Sequence, residues 1–549
     1  MPMPPLARRF PPFTRLLSIV LLATLMVSSS IAQPRIRIPA APASQAIEVI
    51  LEAGQQLETN QRWNAARDHY RDALRQFPDH DDLQSRLKTA RMHTDLARRY
   101  HDASFVDAYR TTPLNRCVAG FGEIMLKVQA HHFHQPRWAA IARHCYRGLE
   151  IACSDKVFTS HHKLDPAAAE TRQFLQQARQ LLVDRPPATR QQLQEAVRLV
   201  ARQGQQQLGL VPQAVVLECN CAAIMALDKY SSYLTPYQLD EMFSQIEGNF
   251  VGLGIELTTS DNRLKVVRVI NNGPAHEAGI RRGDQIVTVA GQSIPQITAD
   301  HAADLLRGPE GSPVTLTIVT AENKRRELML RRRRVEVASV ESVKILDREL
   351  GIGYFKIVSF QKSTGDDVDD ALWKLHREGM NSLVIDIRDN PGGLLMGSVE
   401  VSDKFVRAGT IVSTRGRAAS EDIDYQANEL GTWKMPLVLL MNGNSASASE
   451  VFAGAIRDTK RGRIVGQTSY GKGSVQGIFP LTNTTAGIRL TTARFYSPSG
   501  RAISQQGVTP DVIVRMADSN SSPANAELDL VLQTGLDVLR HMVAERPKR

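Results

Sequence analysis

Three textures of apolar and polar positions follow one another along the chain. From about 45 to 245, apolar residues recur at the three- and four-residue spacing of amphipathic helices, with Gln/Arg/Leu-rich stretches at 170–208. From 248 the period shortens to the alternation of strands, at 265–270, 285–289 and 314–319, punctuated by Gly283-Asp284 and by helical patterns at 274–280 and 299–306. That mixture predicts a small, partly open β-barrel carrying two helices. After 336 the strand patterns 351–357, 382–387, 437–441 and 464–465 alternate with helical ones at 364–378, 394–405 and 449–457. Such alternation predicts a layered sheet with crossover helices. A last amphipathic helix is expected at 526–543. The fold class is thus α+β and multidomain.

Within the helical stretch, Gly54, Ala66, Tyr70, Ala73 and Pro78 fall where a tetratricopeptide (TPR) repeat puts its small, aromatic and terminating residues. A generic helical hairpin fits the same pattern. Either way, one such unit cannot bury its own apolar face and must pack on a neighbour. Further on, Leu227-Asp228-Lys229-Tyr230-Ser231-Ser232-Tyr233-Leu234 closes one helix, and Thr235-Pro236 opens another.

Composition adds the N-terminus and the compartment. Arg8, Arg9 and Arg15 precede and enter an apolar run, 16–27, shorter than the ~20 residues a spanning helix needs. Ser30-Ile31-Ala32 is a small-x-small cleavage site, so 1–32 reads as a signal peptide. An uncleaved anchor is the alternative. The expected location is exported, periplasmic or cell-envelope, with no transmembrane segment after cleavage. The net charge of +10 includes those three arginines, and the remaining excess is too mild to suggest a nucleic-acid partner. The run 331–334 of arginines reads as a solvated domain edge. Cys117, Cys145, Cys153, Cys219 and Cys221 allow up to two disulfides in an oxidising compartment. His131, His132 and His134 lie among them without a recognised metal-ligand spacing, so no metal is expected.

Three segments carry candidate chemistry. In the first, an apolar strand from Pro436 runs into Asn442-Gly443-Asn444-Ser445-Ala446-Ser447-Ala448-Ser449-Glu450 and then a helix. A nucleophile there sits at a positive helix N-terminus among small neighbours and backbone N–H groups, although a plain Ser-rich helix cap has the same pattern. The second, Gly466-Gln467-Thr468-Ser469-Tyr470-Gly471-Lys472-Gly473-Ser474, approaches a phosphate-binding P-loop but has Gly473 where that loop needs a hydroxyl. It otherwise suits a lysine in a glycine-rich turn that lets other backbone approach. The third, Arg388-Asp389-Asn390-Pro391-Gly392-Gly393, ends a strand in a tight turn whose Gly393 N–H can face a carbonyl.

Together these motifs resemble the C-terminal processing, or tail-specific, peptidase family of serine proteases, from about Leu227 to Val514. The resemblance includes Gly252-Leu253-Gly254-Ile255 with Gly279…Arg282-Gly283-Asp284, Gly471-Lys472-Gly473-Ser474-Val475-Gln476 and Thr492–Arg501. It implies Ser447 as nucleophile and Lys472 as general base, with Gln476 orienting the lysine amine. The N–H groups of Gly393 and Ala448 would form the oxyanion hole. No cofactor is implied. The region 246–335 becomes a PDZ-like domain, whose Gly252, Leu253, Gly254 and Ile255 would hold the substrate's C-terminal carboxylate. The full plan is 1–32 signal peptide, 33–44 linker, 45–110 TPR-like hairpins, 111–245 helical region leading into the core, 246–335 PDZ-like, 336–515 α/β peptidase core and 516–549 C-terminal helix. The expected partners are proteins or peptides with free C-terminal tails, with adaptors or oligomers possible through the helical regions. The rival from another class is a catalytically silent PDZ/TPR-like scaffold that recruits partner proteins. Such a scaffold would have no need of Ser447, Lys472 and Gln476 together. A phosphate-binding enzyme, already weakened by Gly473, is the third reading.

Overall fold

The computed structural model describes residues 43–260, 263–294, 305–306, 308–320, 322–428, 430–515 and 529–545. The expected signal peptide at 1–32, all but the end of the linker and most of the 299–306 helix lie outside the described residues.

The α/β core forms where the sequence alternates strand and helix. Its main sheet has six strands, five of them parallel: Ile352–Ile357, Ser382–Asp386, Leu437–Met441, Arg463–Gly466 and Val512–Ile513, with Val340–Asp347 antiparallel at one edge. Every residue of Ser382–Asp386 and Leu437–Met441 is buried, because helices cover both faces. Thr364–Arg377, Leu395–Asp403 and Ala448–Asp458 lie over one face. The C-terminal helix Leu530–Ala544 covers the other, with Val531 and Leu539 on Val384, Val438 and Leu440. A second sheet of five strands is built around Gly487–Tyr496, which pairs with Ser232–Leu234, Ser474–Pro480 and Thr410–Gly416.

The region expected to be PDZ-like is an open six-stranded sheet with its own apolar core, centred on Val266, Ile286, Leu316 and Ile318. It joins the core through a two-stranded ribbon, Asn249–Gly252 against Arg333–Glu336.

The N-terminal helices begin as an interlocked hairpin. A Cβ on Gly54 would lie 2.3 Å from the Tyr70 ring, so only glycine admits that ring, and Ala66, Tyr70 and Ala73 are buried. Further along, Leu114–His131, Trp138–Ser154, Arg190–Leu208 and Pro212–Met225 bury Phe121, Cys145, Val200 and Val215 in one core. Leu481, Ile488 and Leu490 of the second sheet belong to that same core. All five cysteines are buried free thiols, which burial pushes up to about 11 at Cys117 and about 12 at Cys153 and Cys221. Among the described residues, no helix is long and apolar enough to cross a membrane.

Candidate active site

The buried strand Leu437–Met441 delivers the serine-rich turn to the N-terminus of Ala448–Asp458. Its three serines have different fates. Ser445 is fully buried and donates to the Ile387 carbonyl at 2.8 Å. Ser449 is fully buried and donates to the Asn390 carbonyl at 3.0 Å. Ser447 is the one that reaches the surface. Its backbone sits at φ +58°, a region that non-glycine residues seldom occupy and that surrounding structure must enforce.

The turn at 388–393 supplies part of that enforcement. Asp389, also left-handed at φ +63°, accepts from the side-chain amides of Asn442 (2.9 Å) and Asn444 (2.8 Å). The Ala446 N–H donates to the Asn390 carbonyl at 3.0 Å. Arg388 holds Asp386 and reaches Asp529 at the start of the C-terminal helix through two bonds of 2.7 and 2.8 Å. A Cβ on Gly392 would lie 2.8 Å from the Ser447 Cβ, and one on Gly393 would overlap the Phe360 carbonyl at 2.0 Å. Glycine at 392 therefore lets this loop lie against the serine, and glycine at 393 lets it lie against Phe360. Among the described residues, neither the Gly393 nor the Ala448 N–H has an acceptor within the protein.

Glu450 ties the serine to the lysine loop. Its buried carboxylate accepts from the Ser447 N–H (2.7 Å), the Lys472 N–H (2.8 Å), the Gly471 N–H and the Ser469 hydroxyl (both 2.6 Å). Burial raises this carboxyl above its ordinary range against the pull of those four donors. The pattern Ser447-x-x-Glu450 is a capping-box signature that could have flagged the glutamate from sequence alone.

Lys472 lies in the glycine turn its sequence suggested. A Cβ on Gly473 would stand 2.2 Å from the Ser504 N. The loop leads into the strand Ser474–Pro480 and not into a helix, so it lacks the helix N-terminus that a phosphate site needs. The ammonium position is 5.5 Å from the Tyr230 ring centre. Burial, then the Arg489 guanidinium, lowers the Lys472 amine to about 8, against the opposing pull of Glu450. Gln476, implied to orient that amine, instead donates to the Ser474 hydroxyl (3.2 Å) and the Thr491 hydroxyl (3.0 Å).

In the open sheet, Ile255–Ser260 is an edge strand among the described residues. Gly254 has φ +73°, and among the described residues the Leu253 and Gly254 N–H groups have no acceptor. Leu253 and Ile255 point their side chains into the core, so these positions offer backbone and not side chain to a ligand.

A family model described as a PDZ domain matches residues 265–320, and one described as peptidase family S41 matches residues 351–514. A carboxy-terminal-processing protease of Bartonella bacilliformis is 41% identical over 298 residues, covering 53% of this chain and 67% of its own. The chain belongs to peptidase family S41. In this serine protease family, a carboxyl-terminal-processing protease of Synechocystis is 30% identical over 322 residues, 58% of this chain and 75% of its own. A solved structure, the photosystem II D1 C-terminal processing protease, is 28% identical, covers 69% of this chain and 93% of its own, and superposes with a TM-score of 0.36. Function as a C-terminal-processing serine protease follows from that membership.

Proposed function

We propose that the chain is an exported serine endopeptidase that cuts proteins near or from their C-terminal tails through a Ser447–Lys472 pair. The observation that carries the reading is the Glu450 carboxylate. One of its oxygens accepts from both the Ser447 and the Lys472 backbone N–H, so nucleophile and base are registered by the same atom.

The chemistry follows from the surroundings. A lysine at its ordinary pKa, ~10.4, is a poor base near neutrality. An amine lowered to about 8 is neutral in roughly a tenth of the molecules at pH 7, on the order of 200-fold more than an ordinary lysine. It takes the Ser447 hydroxyl proton as the oxygen attacks the peptide carbonyl. The Gly393 and Ala448 N–H groups receive the oxyanion. The ammonium then protonates the leaving amine, and water, deprotonated by the same lysine, releases the acyl group. Gln476, held beside Thr491, orients the amine once substrate tightens the site.

Substrate choice lies with the PDZ domain. A peptide tail adds as a further strand along Ile255–Ser260, and its carboxylate meets the Leu253 and Gly254 N–H groups. Export rests on the signal-like 1–32.

The test is cleavage of an unfolded protein with an apolar C-terminal tail, with chelator present throughout. The wild-type chain should cut it, while Ser447→Ala and Lys472→Ala should not. Cutting by all three would remove the site assignment, and no cutting by any would favour the silent scaffold.

A further inference from the structure

Buried His132 and half-buried Asp228 form a pair that the reaction does not use directly. His132 comes directly after the helix Leu114–His131 and is 2% exposed. Its Nε2 lies 2.9 Å from Asp228 Oδ2, and its Nδ1 lies 2.8 Å from the His134 carbonyl oxygen. The remaining partners of Asp228 lead toward the lysine. Its carboxylate accepts from the Tyr230 N–H (2.7 Å), the Ser231 N–H (2.9 Å) and the Ser231 hydroxyl (2.8 Å). It also accepts from the Thr491 hydroxyl at 3.0 Å, and Thr491 in turn receives the Gln476 amide. Burial alone would raise this carboxyl, but the bonds from His132, Ser231 and Tyr230 outweigh it and hold it well below the usual carboxylate range.

Two walls of the lysine pocket hang on this knot. The Tyr230 ring faces the Lys472 amine, and the Tyr230 carbonyl accepts from Arg489 Nε at 3.1 Å. The segment around His132 is itself seated on the second sheet. The Phe133 N–H donates to the Thr491 carbonyl at 2.8 Å, Arg417 Nε donates to the His132 carbonyl at 3.0 Å, and the Arg494 guanidinium stands 4.8 Å from the Phe133 ring centre.

We infer that His132 is a positioning residue: through Asp228 it fixes Tyr230, Arg489, Thr491 and Gln476 around Lys472, making the N-terminal helical region part of the proteolytic site. This rests on Lys472 being the base. Without His132, Asp228 keeps its bonds to the 229–231 turn and Thr491 but loses the one that ties it to the helical region, so the anchor they share is free to shift. Water then enters beside Lys472, which otherwise faces Tyr230, Arg489 and Glu450, and its amine moves back toward its ordinary basicity. Loosening these walls should cost ~10–100-fold in turnover, with substrate binding largely spared.

The experiment reads the amine with and without turnover. In the full chain carrying Ser447→Ala, Lys472 is labelled with acetic anhydride across pH, and its titration midpoint is followed by peptide mass spectrometry. The midpoint should lie near 8, rise by a pH unit or more on adding His132→Ala, and return with His132→Gln, whose amide reaches Asp228. His132→Asn is too short to reach Asp228 and should rise likewise, which covers the case in which His132→Ala fails to fold. On the Ser447 background, His132→Ala should lower kcat ~10–100-fold at nearly constant KM. A midpoint unmoved in folded His132→Ala or His132→Asn, or moved equally by His132→Gln, would overturn the inference. A wild-type chain that cuts nothing, with a midpoint that still moves, would keep the clamp and overturn the peptidase reading.

Discussion

The protease core carries two large additions, and they are attached in opposite ways. The PDZ domain buries its own apolar core and meets the rest through the ribbon Asn249–Gly252/Arg333–Glu336 and an Arg268–Glu341 ion pair at 2.6 Å. The helical region has no such independence. Its core continues into Leu481, Ile488 and Leu490 of the second sheet, and Glu123 accepts from the Thr482 and Asn483 N–H groups. A domain with its own core can tilt or melt without disturbing chemistry elsewhere. A layer that shares the core of the strand pair following Lys472 cannot. By this account the PDZ domain governs which chains reach Ser447, and the helices govern whether the site exists.

The largest effect should come from emptying one core and then the other. Phe121→Ala in the helical region should cost ~3–5 kcal/mol and remove helix and peptidase activity in one calorimetric transition. Leu316→Ala in the PDZ sheet should cost ~2–5 kcal/mol but leave cutting of a short peptide intact. Peptidase activity that survives melting of the helices would break the comparison.

Next in size is the brace between serine and lysine. Glu450→Gln keeps the shape but removes the charge that four donors address, and should lower kcat ~10–100-fold for short and tailed substrates alike. A loss confined to tailed substrates would assign the brace to the wrong region. Smaller still is the PDZ turn. Gly254→Val forces a β-branched residue into φ +73° and should raise KM ~10-fold for a tailed protein while sparing a short internal peptide. Steady-state kinetics on both substrates separates these cases. Finally, the proposed mechanism makes the neutral amine the active form, so kcat/KM should climb with pH through about 8. The limb should stay in place when the PDZ turn is altered.

The legible parts of this chain were those written locally. Strand-then-helix alternation located the core sheet, and the family resemblance of three short motifs singled out Ser447, Lys472 and Gly393. The strained turn of Ser447 agrees with its small neighbours, and the capping-box spacing already contained Glu450. What stayed hidden was written across long separations. His132 stands 96 positions from Asp228, and Asp228 stands 263 from Thr491. Each is an ordinary polar residue within its own segment, and His132 looked at most like a stray member of a cysteine–histidine cluster. The bond expected between Gln476 and Lys472 is replaced by one to Thr491, because strand pairing sets Gln476 directly opposite that residue. The neighbour of the helical region stayed unnamed for a related reason. Its apolar faces announce burial but not the partner, and that partner lies in the sheet some 350 residues later.

The most direct measurement is to acid-quench the mature chain while it turns over an activated peptide ester and to map the trapped acyl group by mass spectrometry. The account predicts an adduct on Ser447 that forms faster as pH rises through about 8 and is absent in Lys472→Arg, since arginine does not give up its proton. An adduct on another residue, or one that forms as fast in Lys472→Arg, would contradict it.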